Sequence, residues 1–321
     1  MAFATPILFI VFNRPNHTRK VLERIREIKP NFLFVAADGP RRSHVGDADK
    51  CNEVREVINR GIDWPCQVKT QYRDENLGCG KGPVQAITWF FDNVEEGIIL
   101  EDDCLPDLTF FPFCEELLSV YRHQTSIMHV SGNNFQNGIV RGSASYYFSA
   151  YSHNWGWATW RRSWQKYNFH LTDLDPLILA ESFKVYGFTK KEHFYWLSNL
   201  ENFNKQTLVD IWDYQWGYTI WRNSGLSILP NTNLVVNIGF DSEATHTKEV
   251  IFKWRSGNQS FRKIELQHPS QIQIDSKADR YTFNNLFSRR DPIFRRVKNK
   301  MLLNPLIRWA YDKTKTFNKA I

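Results

Sequence analysis

Apolar runs of strand length alternate with apolar stripes at helical spacing through the first third of the chain. Pro6–Phe12 is almost continuously apolar, the pattern of a strand covered on both faces of a sheet. A polar turn, Asn13–Thr18, precedes a helix whose Val21, Leu22, Ile25 and Ile28 fall on one face. Phe32–Ala37 reads as a second strand and ends in the turn Asp38-Gly39-Pro40-Arg41. Asp47–Asn59 has helical spacing with Val54, Val57 and Ile58 inward, and Gln67–Tyr72 alternates as a third strand. The glycine-rich segment Asn76–Pro83 stands ahead of a helix bearing Val84, Ile87, Phe90 and Phe91 on its apolar side. Gly97–Leu100 is a fourth strand. This alternation predicts an α/β protein with a mixed sheet flanked by helices, residues 1–105 forming a Rossmann-like nucleotide-binding half. No GxGxxG follows the first strand, which argues against a dinucleotide cofactor.

Residues 106–287 have a different texture. Asp107–Tyr121 reads as a helix, Ile127–Ser131 as a strand and Ser145–Ala150 as a short strand. Asn154–Trp164 then holds Trp155, Trp157, Trp160 and Trp164 with polar residues between them. Glu192–Lys205 is expected to be helical, Asp210–Trp216 to lead into a helix reaching about Trp221, and Asn237–Thr247 to be a polar loop.

Composition changes this picture in three places. The chain has 321 residues, enough for one large α/β domain or two smaller ones, and its aromatic content is 15% with twelve Trp. Such rings serve packing, and they also line sites for sugars and other flat ligands. Five cysteines without a CxxC pair suit reduced thiols in a cytosolic protein better than a disulfide frame. The first apolar run is too short for a signal-peptide core or a membrane span. Third, the net charge of +7 is uneven: residues 288–321 hold ten basic residues against Asp291 and Asp312, which leaves residues 1–287 close to neutral. The charge therefore belongs to a tail, and a nucleic-acid-binding body is disfavoured. Arg289, Arg290, Arg295, Arg296, Lys298 and Lys300 precede an apolar stripe of Leu303, Leu306, Ile307 and Ala310. That pattern suits a basic amphipathic helix on an anionic membrane surface, or a stripe packed on the body.

The sharpest chemical signal is the end of the fourth strand, where Gly97-Ile98-Ile99-Leu100 runs into Glu101-Asp102-Asp103. Carboxylates are seldom buried unless paired, so the triplet should emerge at the carboxyl edge of the sheet, where open α/β sheets bind ligands. Three adjacent acids invite a hard divalent cation such as Mg²⁺ or Mn²⁺, held by one or two carboxylates and substrate phosphates. Helix capping accounts for one of the acids but not for three. The glycine cluster could cradle phosphate at a helix N-terminus with Lys81 as a point charge, or be a tight turn alone. Asp210 and Asp213 lie among aromatic residues, a setting that raises a carboxyl pKa toward that of a general base; as structural residues they would cap or bond within their helix. A glycine between Trp155 and Trp157 suggests close approach of a ligand or a loop, and His246 stands alone in its polar loop.

Taken in order, Ile7–Pro15, Glu101-Asp102-Asp103, Trp155-Gly156-Trp157 and Trp212-Asp213 resemble GT-A glycosyltransferases, with N-acetylglucosaminyltransferase I and bacterial sugar transferases as the nearest pattern. The resemblance covers about residues 5–250. It implies that Asp103 binds Mn²⁺ (or Mg²⁺), that Asp102 lies near the ribose or diphosphate, and that Asp38 contacts the base. It also implies Asp213 as catalytic base and His246 at the metal or diphosphate. Asn13, Arg14, Arg41, Asn76, Lys81 and Glu101 complete the expected nucleotide-binding set, and Trp155, Gly156, Trp157 and Asp210 the acceptor and sugar side. The donor implied is a nucleotide-diphospho-sugar, UDP-linked in the relatives, and the acceptor a glycan or lipid-linked hydroxyl in bacterial surface polysaccharide synthesis. Without an anchor and stem ahead of the first strand, the expected setting is the bacterial cytoplasm, peripheral to the inner face of the membrane. A nucleotidyltransferase of sugar phosphates and a non-catalytic glycan-binding protein are the alternatives. The first would carry a basic glycine-rich loop after the first strand, which Asn13–Thr18 does not match, and the second leaves the three acids unexplained.

Overall fold

The computed structural model describes residues 3–205, 210–239 and 265–288. Strand and helix alternate strictly at first: β1 (Ile7–Val11), α1 (Pro15–Ile28), β2 (Phe32–Ala37), α2 (Asp47–Gly61), β3 (Gln67–Tyr72), α3 (Gly78–Asn93) and β4 (Glu96–Glu101). Next come β5 (Cys104–Pro106), α4 (Phe110–Val120), β6 (Ile127–Ser131), β7 (Tyr146–Ser149), β8 (Trp157–Trp160) and the single turn α5 (Arg161–Trp164). Helices α6 (Pro176–Val185), α7 (Lys190–Lys205) and α8 (Asp213–Arg222) precede β9 (Leu226–Pro230) and β10 (Val235–Asn237). Helix α9 (Ser276–Thr282) runs into a π-helical turn, Phe283–Phe287.

Eight strands form one mixed sheet in the order β3-β2-β1-β4-β8-β6-β9-β7, and β10 pairs with β5 in a separate two-stranded ribbon. β3, β2, β1 and β4 are parallel; β8 runs antiparallel between β4 and β6, so β6 points the same way as β4. The carboxyl ends of β1, β2, β4 and β6 therefore open on one edge, together with the start of β8. This is the mixed α/β sheet flanked by helices that the alternation predicts. The basic segment from residue 289 onward lies outside the described residues, and so does His246.

Why β1 reads as continuous apolar sequence is visible in its packing. Ile7, Phe9 and Val11 join one core layer with α1, α2 and α4, while Leu8 turns to a second layer under α3 and α8. β8 does the same with larger rings: Trp157 faces α3 and α8, and Trp160 faces α4. A third cluster joins α6, α7 and the outer side of α8 through Phe183, Trp196 and Trp221. Helix α1 starts at Pro15, whose missing N–H is no loss in a first turn, and stops at Lys29 in the left-handed region, φ 50°.

Three details depart from the expectations. Helix α3 begins at Gly78, so the glycines form its first turns and do not make a loop ahead of it. Helix α4 begins at Phe110 and not at Asp107, because Asp107 Oδ1 accepts from Thr109 N (2.9 Å) and Oγ1 (2.6 Å) in a turn before the helix. Trp157 is a strand residue, not a loop residue. All five cysteines are free thiols, and no described helix is long and apolar enough to cross a membrane.

Gly97 in β4 lies against the Phe90 ring and the Pro6 carbonyl, with no room for a Cβ. Gly97→Ala should overpack this layer and cost about 1–3 kcal/mol. Urea denaturation should show a lower midpoint at an unchanged slope; an unchanged midpoint would mean that the layer yields freely.

Candidate active site

The carboxyl edge of the sheet gathers seven carboxylates from distant parts of the chain, and each has its own means of tolerance. Glu101 ends β4 with its side chain on the same face as Ile99, toward α8. Asp102 turns to the opposite side, is buried, and accepts from Phe12 N (3.1 Å) at the end of β1. Asp103 follows in the turn. Arg14, one residue before α1, lies between the last two, with Nη1 2.9 Å from Asp103 Oδ2 and 3.5 Å from Asp102 Oδ1. Burial alone would push the Arg14 pKa down, but Asp102 and Asp103 more than offset it and hold the guanidinium charged.

One guanidinium does not neutralise three acids. Burial first, then repulsion from Asp103 and from the other acids, raises the carboxyls of Glu101 and Asp102 well above the ordinary range. Asp213 enters here. It is the first residue of α8, yet its charge is near enough to Glu101 to raise that carboxyl further. Solvent reaches the Asp213 side chain, but surrounding protein desolvates it and lifts its own carboxyl, against the N–H of Tyr214 that favours the anion.

A second group of acids is structural. The first four free N–H groups of α3 and its approach are all taken: Leu77 N (3.0 Å) and Gly78 N (3.2 Å) donate to Asp38, and Cys79 N (2.9 Å) and Gly80 N (2.5 Å) donate to Asp210. Asp38 also accepts from Gly39 N and from Asn76 Nδ2, each at 3.0 Å. Its carboxyl is raised by burial, with these N–H groups working against that. The glycines let the Asp210 carboxylate come so close that a Cβ at Gly80 would stand 2.9 Å from it.

Several expectations are corrected by these contacts. The glycine-rich N-terminus is not an open phosphate cradle, since two carboxylates of the chain itself fill it. Asp38 and the Asn76 amide N–H groups are engaged in this turn, and Asp210 clamps the segment before α8 to the start of α3. Lys81 is exposed in the first turns of α3. Trp157 is 1% exposed, stacked between His129 (5.1 Å) and Trp212 (5.6 Å), so it is a core ring and offers no face to an acceptor. Gly156 serves packing: its φ is +60° and a Cβ would meet Val235 Cγ2 at 2.7 Å. Trp155 packs edge-on against Phe135 at 5.2 Å.

Asn13 and Arg41 do meet, through a residue that periodicity marked only as a helix start. Asp47 is buried, accepts from Asn13 Nδ2 (2.8 Å) and from Arg41 Nε (2.6 Å) and Nη2 (3.1 Å), and its pKa falls to about 2, chiefly through Arg41. Arg41 also lies over the Phe12 ring, 5.3 Å from its centroid. The polar turn after β1 and an acid at the start of α2, the helix after β2, were the available signals. This assembly joins the carboxyl ends of β1 and β2 beside the triplet.

The donor set bears on a metal. Among the described residues no three His, Cys, Asp or Glu side chains form a cage. Asp103 has an available oxygen: Oδ2 is taken by Arg14, while Oδ1 has the weak thiol donor of Cys104 beside it (3.4 Å). That fits a hard cation shared between one carboxylate and substrate phosphates, and does not fit one held by protein alone. Gly239 closes on the pair; a Cβ there would lie 2.6 Å from Asp103 Oδ2.

No protein-family model matches the chain, and no curated protein is similar to it. Among solved structures, HddC from Yersinia pseudotuberculosis overlaps 51% of this chain and 80% of its own, at 8% identity and a TM-score of 0.30. A UDP-glucose pyrophosphorylase complexed with UDP-glucose overlaps 44% of this chain and 64% of its own, at 10% identity and a TM-score of 0.25. Overlaps this loose carry no functional weight.

Carboxyls raised in the folded state bind protons that the unfolded chain releases, so Glu101 and Asp102 lower stability as pH rises above the ordinary carboxyl range. Asp47, depressed to about 2, acts in the opposite sense but is complete above the unfolded carboxyl pKa. Urea midpoints should therefore decline from about pH 5 to 8, and Glu101→Gln should flatten the decline. A slope equal to wild type would show that Glu101 is ionised throughout.

Proposed function

We propose that the protein transfers a sugar from a nucleotide-diphospho-sugar to a hydroxyl of a glycan or lipid-linked acceptor, in one inverting displacement. The observation that supports this reading is the proximity of Asp213, a desolvated carboxyl that solvent reaches at the start of α8, to Glu101 of the acid triplet. Asp213 has the raised proton affinity of a base and water access for the proton to leave. Arg14 beside Asp103 supplies positive charge where a diphosphate would gather negative charge on departure. The Asn13–Asp47–Arg41 assembly, rigid and beside the same edge, suits the nucleoside end of a donor, with Arg41 and Phe12 offering a flat face.

A Mn²⁺ or Mg²⁺ held by Asp103 would add Lewis-acid stabilisation of the leaving diphosphate. In the reaction itself, Asp213 takes the proton of the acceptor hydroxyl as that oxygen attacks the anomeric carbon. The C–O bond to the diphosphate breaks on the opposite face, and Arg14 stays paired with the departing charge. The resemblance to GT-A enzymes makes UDP the first donor nucleotide to test and bacterial surface polysaccharide the first setting.

Asp213→Asn should lower turnover by ~10²–10⁴-fold with nucleotide affinity retained, measured by NDP release at saturating donor. Wild-type turnover in that variant would remove Asp213 from the chemistry. Calorimetry with UDP, GDP, CMP and dTDP, each with and without Mn²⁺, should find a binder that needs the metal and is lost in Asp103→Ala. Metal-independent binding by both proteins would overturn the role of Asp103. Release of pyrophosphate in place of a nucleoside diphosphate would replace glycosyl transfer with nucleotidyl transfer.

A further inference from the structure

Helix α6 carries aliphatic side chains on the side that faces solvent. Leu177 is 78% exposed, Val185 75% and Ile178 41%, while Leu179 and Phe183 turn inward to the cluster that holds Trp196 and Trp221. The exposed three share their side of the helix with Glu181 and Lys184, which pair with each other at 2.6 Å. Pro176 opens the helix, and Asp175 caps it by accepting from Leu177 N (2.8 Å) and Ile178 N (3.4 Å), so the first turn is fixed with Leu177 outward. Single exposed aliphatics are ordinary on a protein surface, but three on one side of a ten-residue helix make a patch.

The charge beside this patch is positive. Helix α6 ends in a turn with Gly187 at φ +69°, and α7 opens with Lys190 and Lys191, both exposed. The acid of this turn is already engaged: Glu192 is 1% exposed, accepts from Thr189 N (2.7 Å) and pairs with Arg280 at 3.1 Å. Arg280 also donates to the Gly187 carbonyl (3.1 Å). Lys191 donates to Ser288 Oγ (2.8 Å), and its ammonium lies 5.3 Å from the centroid of the Phe283 ring. Among the described residues neither Lys190 nor Lys191 meets a carboxylate. After Ser288 the sequence continues as Arg289-Arg290, and the most basic stretch of the chain therefore leaves the body beside Lys191, at the turn into which Val185 leads. Aliphatic tips beside lysines without acid partners complement a surface that is anionic on top and apolar beneath. Residues 289–321 folded back on the patch would set their arginines against Lys190 and Lys191, and a second copy would bring the same lysines face to face across a two-fold axis.

We propose that the solvent face of α6 and the turn into α7 dock on an anionic lipid bilayer, with Leu177, Ile178 and Val185 in the headgroup layer and Lys190 and Lys191 on its phosphates. Such docking leaves the carboxyl edge of the sheet open. The Tyr186 hydroxyl donates to the Gly225 carbonyl (2.9 Å), just past the end of α8, whereas Asp213 begins that helix. The docked turn thus lies toward the end of α8 opposite Asp213. Docking requires neither nucleotide nor sugar and is independent of the glycosyl-transfer reading.

The full-length protein should co-sediment with vesicles of equal parts phosphatidylcholine and phosphatidylglycerol, and not with phosphatidylcholine alone. Leu177→Ser with Val185→Ser, and separately Lys190→Gln with Lys191→Gln, should each weaken that binding about tenfold or more at unchanged near-UV circular dichroism. Should the serine variant misfold, the glutamine variant decides. Absence of wild-type binding to the anionic vesicles, or wild-type affinity in either folded variant, would overturn the proposal; the second result would leave residues 289–321 as the whole anchor. A urea midpoint that falls in the folded serine variant would give the patch to residues 289–321, and a dimer in sedimentation velocity that this variant splits would give it to a second copy. Each of those outcomes also overturns membrane docking. A failed nucleotide titration would sink the glycosyl-transfer reading and leave the vesicle result standing.

Discussion

Negative charge crowded onto one edge of a buried sheet is the constraint around which the molecule is arranged. Parallel strands bring their carboxyl ends together, and here β2 and β4 both finish in acids, with Asp210 and Asp213 arriving from the start of α8. Unpaired charge in such surroundings costs far more than a single packing contact returns. Three different devices relieve it. Arg14 pairs with Asp102 and Asp103, the N-terminus of α3 receives Asp38 and Asp210, and burial keeps Glu101 and Asp102 inclined to hold a proton. The glycines at 78 and 80 belong to the second device, since they let a carboxylate approach the helix axis closely.

These devices divide the acids by role. Asp38, Asp47 and Asp210 accept hydrogen bonds on both oxygens and hold turns and helices together. Asp103 and Asp213 keep capacity to spare, one beside a cation and one desolvated at a helix start. Two carboxylates with such different surroundings are suited to different tasks, one to charge and one to protons. The separation arises from environment, since all of them are the same side chain.

Aromatic packing sets the geometry between those two. Trp157 from β8, Trp164 from α5 and Trp216 from α8 form one ring cluster with Trp212, and it pins the start of α8 against the sheet. Asp213 faces Glu101 because Trp212 is held there. The high tryptophan content is thus mainly structural near the edge.

Much of the architecture was readable from the sequence. β2, β3 and β6 begin and end where apolar patterning places them, and the acid triplet falls at the carboxyl end of β4 as expected, because strand periodicity and the reluctance of acids to be buried are local properties. What patterning did not reveal is who satisfies whom. Asp210 clamps a helix 130 residues away, Asp47 joins Asn13 to Arg41, and Trp157 turns inward, all through partners remote in sequence. A glycine-rich helix start reads the same whether a phosphate or the chain's own carboxylate will fill it. Sequence by itself determined which residues could carry charge, rings and turns, and where the sheet would end; only the tertiary structure decided which of those charges were already neutralised and which remained to act, because pairing depends on distance in space and periodicity reports only distance along the chain.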